Sequence, residues 1–136
     1  MEALRLHLAL HGLAVLTVSI VAGLILWRVL SRERDGADWH LVHASGSVRG
    51  VLLIALAAII HLPALPPWLI AAVTWQFIFF AWTSLAAMFI RALSGERGFY
   101  ASGSLANRIV FGLYAAGAIA LVPACLTLLA GLVRAL

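Results

Sequence analysis

The sequence predicts an all-α integral membrane protein, one domain over residues 1–136 built as a four-transmembrane-helix bundle. Three observations predict it. Of the 136 residues, 65% are hydrophobic and 10% charged, against about 25% charged in a typical soluble domain. The mean hydropathy is +1.10. Four apolar stretches recur along the chain, and none alternates with period two. Helices are therefore expected, rather than a β-barrel, to satisfy the backbone polar groups in lipid.

The first stretch gives a span over residues 4–30. It exceeds the apolar core of about 7–15 residues found in a cleavable signal peptide. The second apolar run, Val48–Leu62, falls short of the about 20 residues a span needs. It reaches that length only if its helix begins earlier, near Asp38 or His43. This draws "DWHLVHASGSVRG" (Asp38–Gly50) into or against the membrane. The expected span is 43–62, with Asp38 a candidate N-cap.

"LPALPPW" (Leu62–Trp68) is an uncharged tight turn leading to a third span, 68–93. "SGERGFYASGS" (Ser94–Ser104) is a Gly/Ser-rich loop in which Ser102 or Ser104 is a candidate cap. The fourth span is 105–133. On it Gly112, Ala116, Ala120 and Ala124 form a small-residue stripe at i, i+4, expected to let another helix approach.

All nine basic residues are arginine, and the formal net charge is +4. Arg28, Arg32, Arg34, Arg49, Arg91, Arg97 and Arg108 lie at or beside the first and third loops; Arg5 and Arg134 lie at the termini. The positive-inside rule then places loops one and three in the cytoplasm and both termini outside. The expected contacts of these arginines are anionic lipid headgroups.

No stacking platform or basic stripe points to nucleic acid. There is no Gly-rich phosphate loop, no CxxC and no paired carboxylate at catalytic spacing. Glu2, Glu33, Asp35, Asp38 and Glu96 all fall near ends or loops, which weakens a proton-coupled transporter. Cys125, the single cysteine, reads as a small buried side chain.

The chain holds five histidines. His7 and His11 share one face of the first helix at i, i+4; His40 and His43 open the second; His61 closes it. His11 and Arg28 are about 25 Å apart along a helix rising about 1.5 Å per residue. His11 and His43 therefore cannot share one metal if both helices span. Two arrangements remain: an outer pair, His11 with His61, or an inner site with His43 as a lone axial ligand. The inner site has the arginines, the small residues Ser45, Gly46, Ser47 and Gly50, and aromatic surface from the third helix, which together suit a flat anionic porphyrin.

Several motifs carry a resemblance. The first helix has "HG" (His11, Gly12), Gly23 twelve residues after His11, and "LW" (Leu26, Trp27). "HASGSVRG" (His43–Gly50) is similar to "HSGPALNG", "WTS" (Trp82–Ser84) to "WSN", and "SGERG" (Ser94–Gly98) to "SPNRG". In order and spacing these resemble the styrene oxide isomerases, small four-helix membrane proteins carrying haem b. The resemblance implies a homotrimer in a bacterial inner membrane, with haem b near the subunit interfaces. His43 matches the axial iron ligand. Arg49, Trp82 and Arg97 fall at motif positions around the cofactor.

The implied activity is Lewis-acid conversion of small apolar aryl epoxides to aldehydes, a Meinwald rearrangement. Two positions depart from the family: Arg49 stands where it has an asparagine near the substrate, and Met88 where it has a pocket tyrosine. Two alternatives stay open. One is a haem protein of another class, such as a b-type electron carrier, gas sensor or haem-handling protein. The other is a cofactor-free membrane protein.

Overall fold

The computed structural model describes all 136 residues and contains four helices with no strand. Helix α1 is Glu2–Leu30, α2 Ala37–Ile59, α3 Pro67–Ser94 and α4 Leu105–Val133. Each is long and apolar enough to cross a membrane, and together they form a four-helix membrane bundle.

The largest departure from the sequence reading concerns α2, which begins at Ala37 rather than 43 and ends at Ile59 rather than 62. Its 23 residues span about 35 Å at about 1.5 Å per residue, enough for the hydrocarbon core. His43, Ser45, Ser47 and Arg49 therefore lie within a membrane-length helix. The start is fixed by Asp35, whose carboxylate accepts from the Ala37 N–H at 2.9 Å. Asp38 is not the cap but a first-turn residue, and its carboxylate takes Arg91 Nε at 2.6 Å.

The remaining ends follow local chemistry. Pro67 opens α3 at its first turn, where a missing N–H costs nothing. Gly95 closes α3 in the left-handed conformation at φ 74°. Ser104 caps α4 by accepting from Asn107 N–H. The Asn107 side chain also ties loop three together, accepting from Gly98 N–H and donating to the carbonyls of Tyr100 and Ser102.

Helices α1 and α2 pack as one hairpin and α3 and α4 as a second. Helix α3 joins them by packing on α2 and, more sparsely, on α1; among the helices α4 packs on α3, and its Gly131 carbonyl accepts from Ala64 N–H of the second loop. The core between the hairpins includes Leu8, Val15, Leu53, Phe77, Leu85 and Met88, each no more than 3% exposed. Leu6, Leu24, Trp27, Ile119 and Leu126 face outward, as expected where the solvent is lipid.

Lipid tails remove most of the hydrophobic drive between helices, so close approach of small residues matters more. Between α1 and α2 the approach reaches backbone contact. A Cβ on Gly12 would lie 2.8 Å from the Gly50 carbonyl oxygen, and one on Gly50 equally close to that of Gly12.

The α3–α4 seam uses another line of α4 than the expected stripe. Val110, Gly117, Ala124 and Gly131 are its buried residues at seven-residue spacing, with Leu128 beside them. Of the expected set only Ala124 is fully buried, and Gly112 faces open space. An i, i+4 row drifts round a helix faster than an i, i+7 row, so only the latter stays against a partner over six turns.

Candidate functional site

The α1–α2 seam fixes His43. Its Nδ1 lies 2.9 Å from the Ser19 carbonyl oxygen. A carbonyl can only accept, so Nδ1 carries the proton and neutral His43 keeps its lone pair on Nε2. A Cβ on Gly23 would fall 2.8 Å from Nδ1 and 2.9 Å from Cε1, so only glycine there leaves room for the ring. Gly46 plays the same part for Ser19, whose hydroxyl occupies the space a Gly46 side chain would need. That hydroxyl donates to the Val15 carbonyl at 2.7 Å. The Ser47 hydroxyl donates to the His43 carbonyl at 2.7 Å, and neither serine is placed as an activated nucleophile.

The other histidines are held differently. Trp82 Nε1 donates to His11 Nδ1 at 3.1 Å. An indole N–H only donates, so neutral His11 carries its proton on Nε2 and has no lone pair left for a metal. His11 also meets His7 with ring centroids 6.1 Å apart and Trp75 at 6.2 Å, and His7 meets Trp75 at 5.1 Å. The outer grouping is thus a histidine–tryptophan ladder between α1 and α3. His61 and His40 are exposed. Nowhere do three or more His, Cys, Asp or Glu side chains converge as a metal cluster.

Six residues beyond His43, Arg49 leaves α2 about 240° further round the helix and turns toward α3. Its Nη1 donates to the Ser45 carbonyl at 2.7 Å and lies 3.9 Å from Met88 Sδ. Its Cζ stands 5.3 Å above the centre of the Phe80 ring, close enough for a cation–π contact. Its Nε is sealed from solvent and has no acceptor.

These groups edge a groove of about 430 Å³ between α2 and α4, floored by α3. Ala44, Ser45, Val48, Arg49 and Leu52 form one wall, Phe80 the floor and Leu121 the other wall.

Of the residues singled out from sequence, the structure brings Arg49 on the groove wall against Met88, which is buried in the core behind it, and sets His43 in the α1–α2 seam. Trp82 stands beside His11, and Arg97 is exposed in loop three. Cys125 is exposed rather than buried, because it lies off the α3-facing line of α4.

The sequence reading missed the partners of His43. Gly46 and Gly50 form a GxxxG pattern inside "HASGSVRG", and Gly12 and Ser19 are small residues seven apart. That was the available signal for a close seam. The Ser19 carbonyl and the Trp82–His11 bond had none, since both depend on how helices meet.

The family profile described as styrene oxide isomerase matches residues 4–133, nearly the whole chain. No curated protein gives a significant match.

Proposed function

Since this chain belongs to the styrene oxide isomerase family, we propose that it is a haem b-dependent membrane isomerase that converts small apolar aryl epoxides to aldehydes. The observation that carries the cofactor reading is His43 Nδ1 lying 2.9 Å from the Ser19 carbonyl oxygen, which leaves Nε2 with the lone pair. Metal-bound histidines regularly donate their second ring N–H to a carbonyl, which fixes the tautomer and strengthens the ligand. His43 is set up in this way by Ser19, whereas Trp82 sets His11 up in the opposite way.

His43 Nε2 would hold the iron. The arginines at the ends of the first and third loops suit the propionates. When bound, ferric haem supplies a Lewis acid for an epoxide oxygen.

Isomerisation breaks the benzylic C–O bond, moves a hydride from the terminal carbon to the benzylic carbon and leaves an aldehyde, with no net redox change. The chain's part is to hold the substrate and keep water from the electron-poor carbon. Ala44, Val48, Leu52, Phe80 and Leu121 give the groove an apolar, aromatic lining suited to both tasks. Arg49 offers N–H donors to an oxygen there.

Assembly as a homotrimer belongs to the same proposal. The flank of the α1–α2 seam turned away from α3 carries Ile20, Leu24, Trp27 and Val51, all more than half exposed, and no helix of this chain covers it. We place the protein in a bacterial inner membrane with loops one and three cytoplasmic and both termini outside, on the bias of its arginines.

The test is the purified protein's absorbance spectrum together with turnover. A ferric haem spectrum, lost in His43→Ala and kept in His11→Ala, is expected, with aldehyde formed from styrene oxide without added reductant. Haem present but no turnover across an epoxide panel overturns the isomerase. The Arg49–Met88 contact, found where the family has asparagine and tyrosine, favours as second reading a haem protein of another class. A six-coordinate spectrum that responds to quinol would mark it.

A further inference from the structure

Arg49 sits twelve residues beyond Ala37, the start of α2, or about 18 Å along the helix at about 1.5 Å per residue. Arginine at such depth is costly, and it is retained where it meets a partner. This one has no carboxylate. The partly exposed ion pair of Asp38 with Arg91 is complete without it. Its Nη1 is satisfied by the Ser45 carbonyl, but Nε has no acceptor, and no hydrogen bond within the chain engages Nη2. With Nε sealed inside the protein, Nη2 is the donor left to meet a carboxylate oxygen, and the guanidinium charge strengthens that hydrogen bond. Phe80 and Met88 hold the guanidinium plane from the α3 side. The groove it edges is otherwise apolar and, at about 430 Å³, falls within the range of small-molecule sites, about 300–1,000 Å³.

We propose that the α2–α4 groove selects an apolar, aromatic-sized molecule bearing one carboxylate, with Arg49 as the residue that determines specificity. Resting on the isomerase reading, the preferred substrate is then an aryl epoxide carrying a carboxylate. A single guanidinium matches one negative charge. A phosphate dianion would leave charge uncompensated, and a wholly neutral ligand would leave the cation without an anion. The loop arginines stand at the membrane boundary, where haem propionates would lie, whereas Arg49 lies deeper, about 9 Å along α2 from His43 at about 1.5 Å per residue, on a groove that begins at Ala44 beside His43.

The experiment uses the holoprotein in phosphatidylcholine nanodiscs and measures binding of 3-phenylpropanoate against its neutral isostere 3-phenylpropanamide, by calorimetry. Wild type is expected to prefer the acid by about tenfold or more, as a charge-assisted hydrogen bond requires. Arg49→Gln should abolish the preference and Arg49→Lys keep part of it. Leu121→Trp, which fills the groove from α4, should weaken both ligands. A preference that persists in Arg49→Gln, or no preference in wild type, overturns the proposal. If wild type shows no preference and Arg49→Gln loses haem on purification, the anion at Arg49 is a propionate and the proposal also falls. Turnover of 4-carboxystyrene oxide against styrene oxide separates the two readings. An acid preference in binding without turnover of either epoxide overturns the isomerase and leaves the carboxylate site standing.

Discussion

The two helical hairpins hold together in contrasting ways. The α1–α2 seam is built by removing side chains: Gly12 meets Gly50 backbone to backbone, Ser19 occupies the space left by Gly46, and the His43 ring that left by Gly23. The α3–α4 seam meets side chain to side chain: Val110 and Ala124 pack along the seven-residue line with Leu128 beside it, Gly117 makes room for the Phe80 and Thr83 side chains, and Gly131 for Pro63 and Leu65 of the second loop. A seam made of backbone has no rotamers to yield, so it can hold an imidazole in one orientation against one oxygen. A seam made of side chains adapts, and it is α3 and α4, with α2, that frame the groove.

Crowding the glycine seam is the strongest way to test this contrast. Gly50→Leu must displace the Gly12 carbonyl and the α1 backbone near Leu16, and should cost about 3 kcal/mol, the upper part of the range for overpacking. The matching Gly117→Leu on α4 presses on the Thr83 and Phe80 side chains, 2.9 and 3.4 Å from an added Cβ, which can turn aside, and should cost about 1 kcal/mol, the lower part of the same range. Equal losses in the two variants would mean that the seams do not differ as described.

Gly23→Ala comes next. Helix propensity favours alanine by about 0.5–1 kcal/mol, so a global loss of stability is not its signature. Its methyl presses on His43, and on the proposed haem reading the affinity for haem should fall by about 10–100-fold, the usual cost of disturbing a ligand's outer partner. Titration of apo-protein with haem reads this directly, and a shifted Soret band should accompany it.

The smallest effect is Asp38→Asn. It leaves Arg91 without its partner at the mouth of the bundle, where the two side chains are 32% and 20% exposed. A loss of about 1 kcal/mol is expected, read as a small drop in thermal midpoint with haem content unchanged.

Much of the architecture was legible because lipid imposes it. Four apolar runs can do little else than form helices there, and the shortness of the Val48–Leu62 run already required α2 to begin among polar residues. Its true start at Ala37 was harder to see. Asp35 and Asp38 both resemble caps, and only the position of Arg91 on α3 shows that Asp38 is engaged elsewhere. His43 was legible as a candidate through its motif, and the contact between Arg49 and Met88 joins two positions the motif comparison put near one pocket. The stripe on α4 misled because small residues permit an approach without requiring one. The state of each imidazole was out of reach: His43 and His11 differ through one carbonyl on α1 and one indole on α3, and neither partner is a neighbour in sequence.

The acceptor for His43 has an inheritance of its own. It is the main-chain oxygen of Ser19, which no codon change at that position can delete. The feature that orients the imidazole is therefore shielded from mutation where it resides and vulnerable one turn further along the same helix, at Gly23, where a single added methyl reaches the ring.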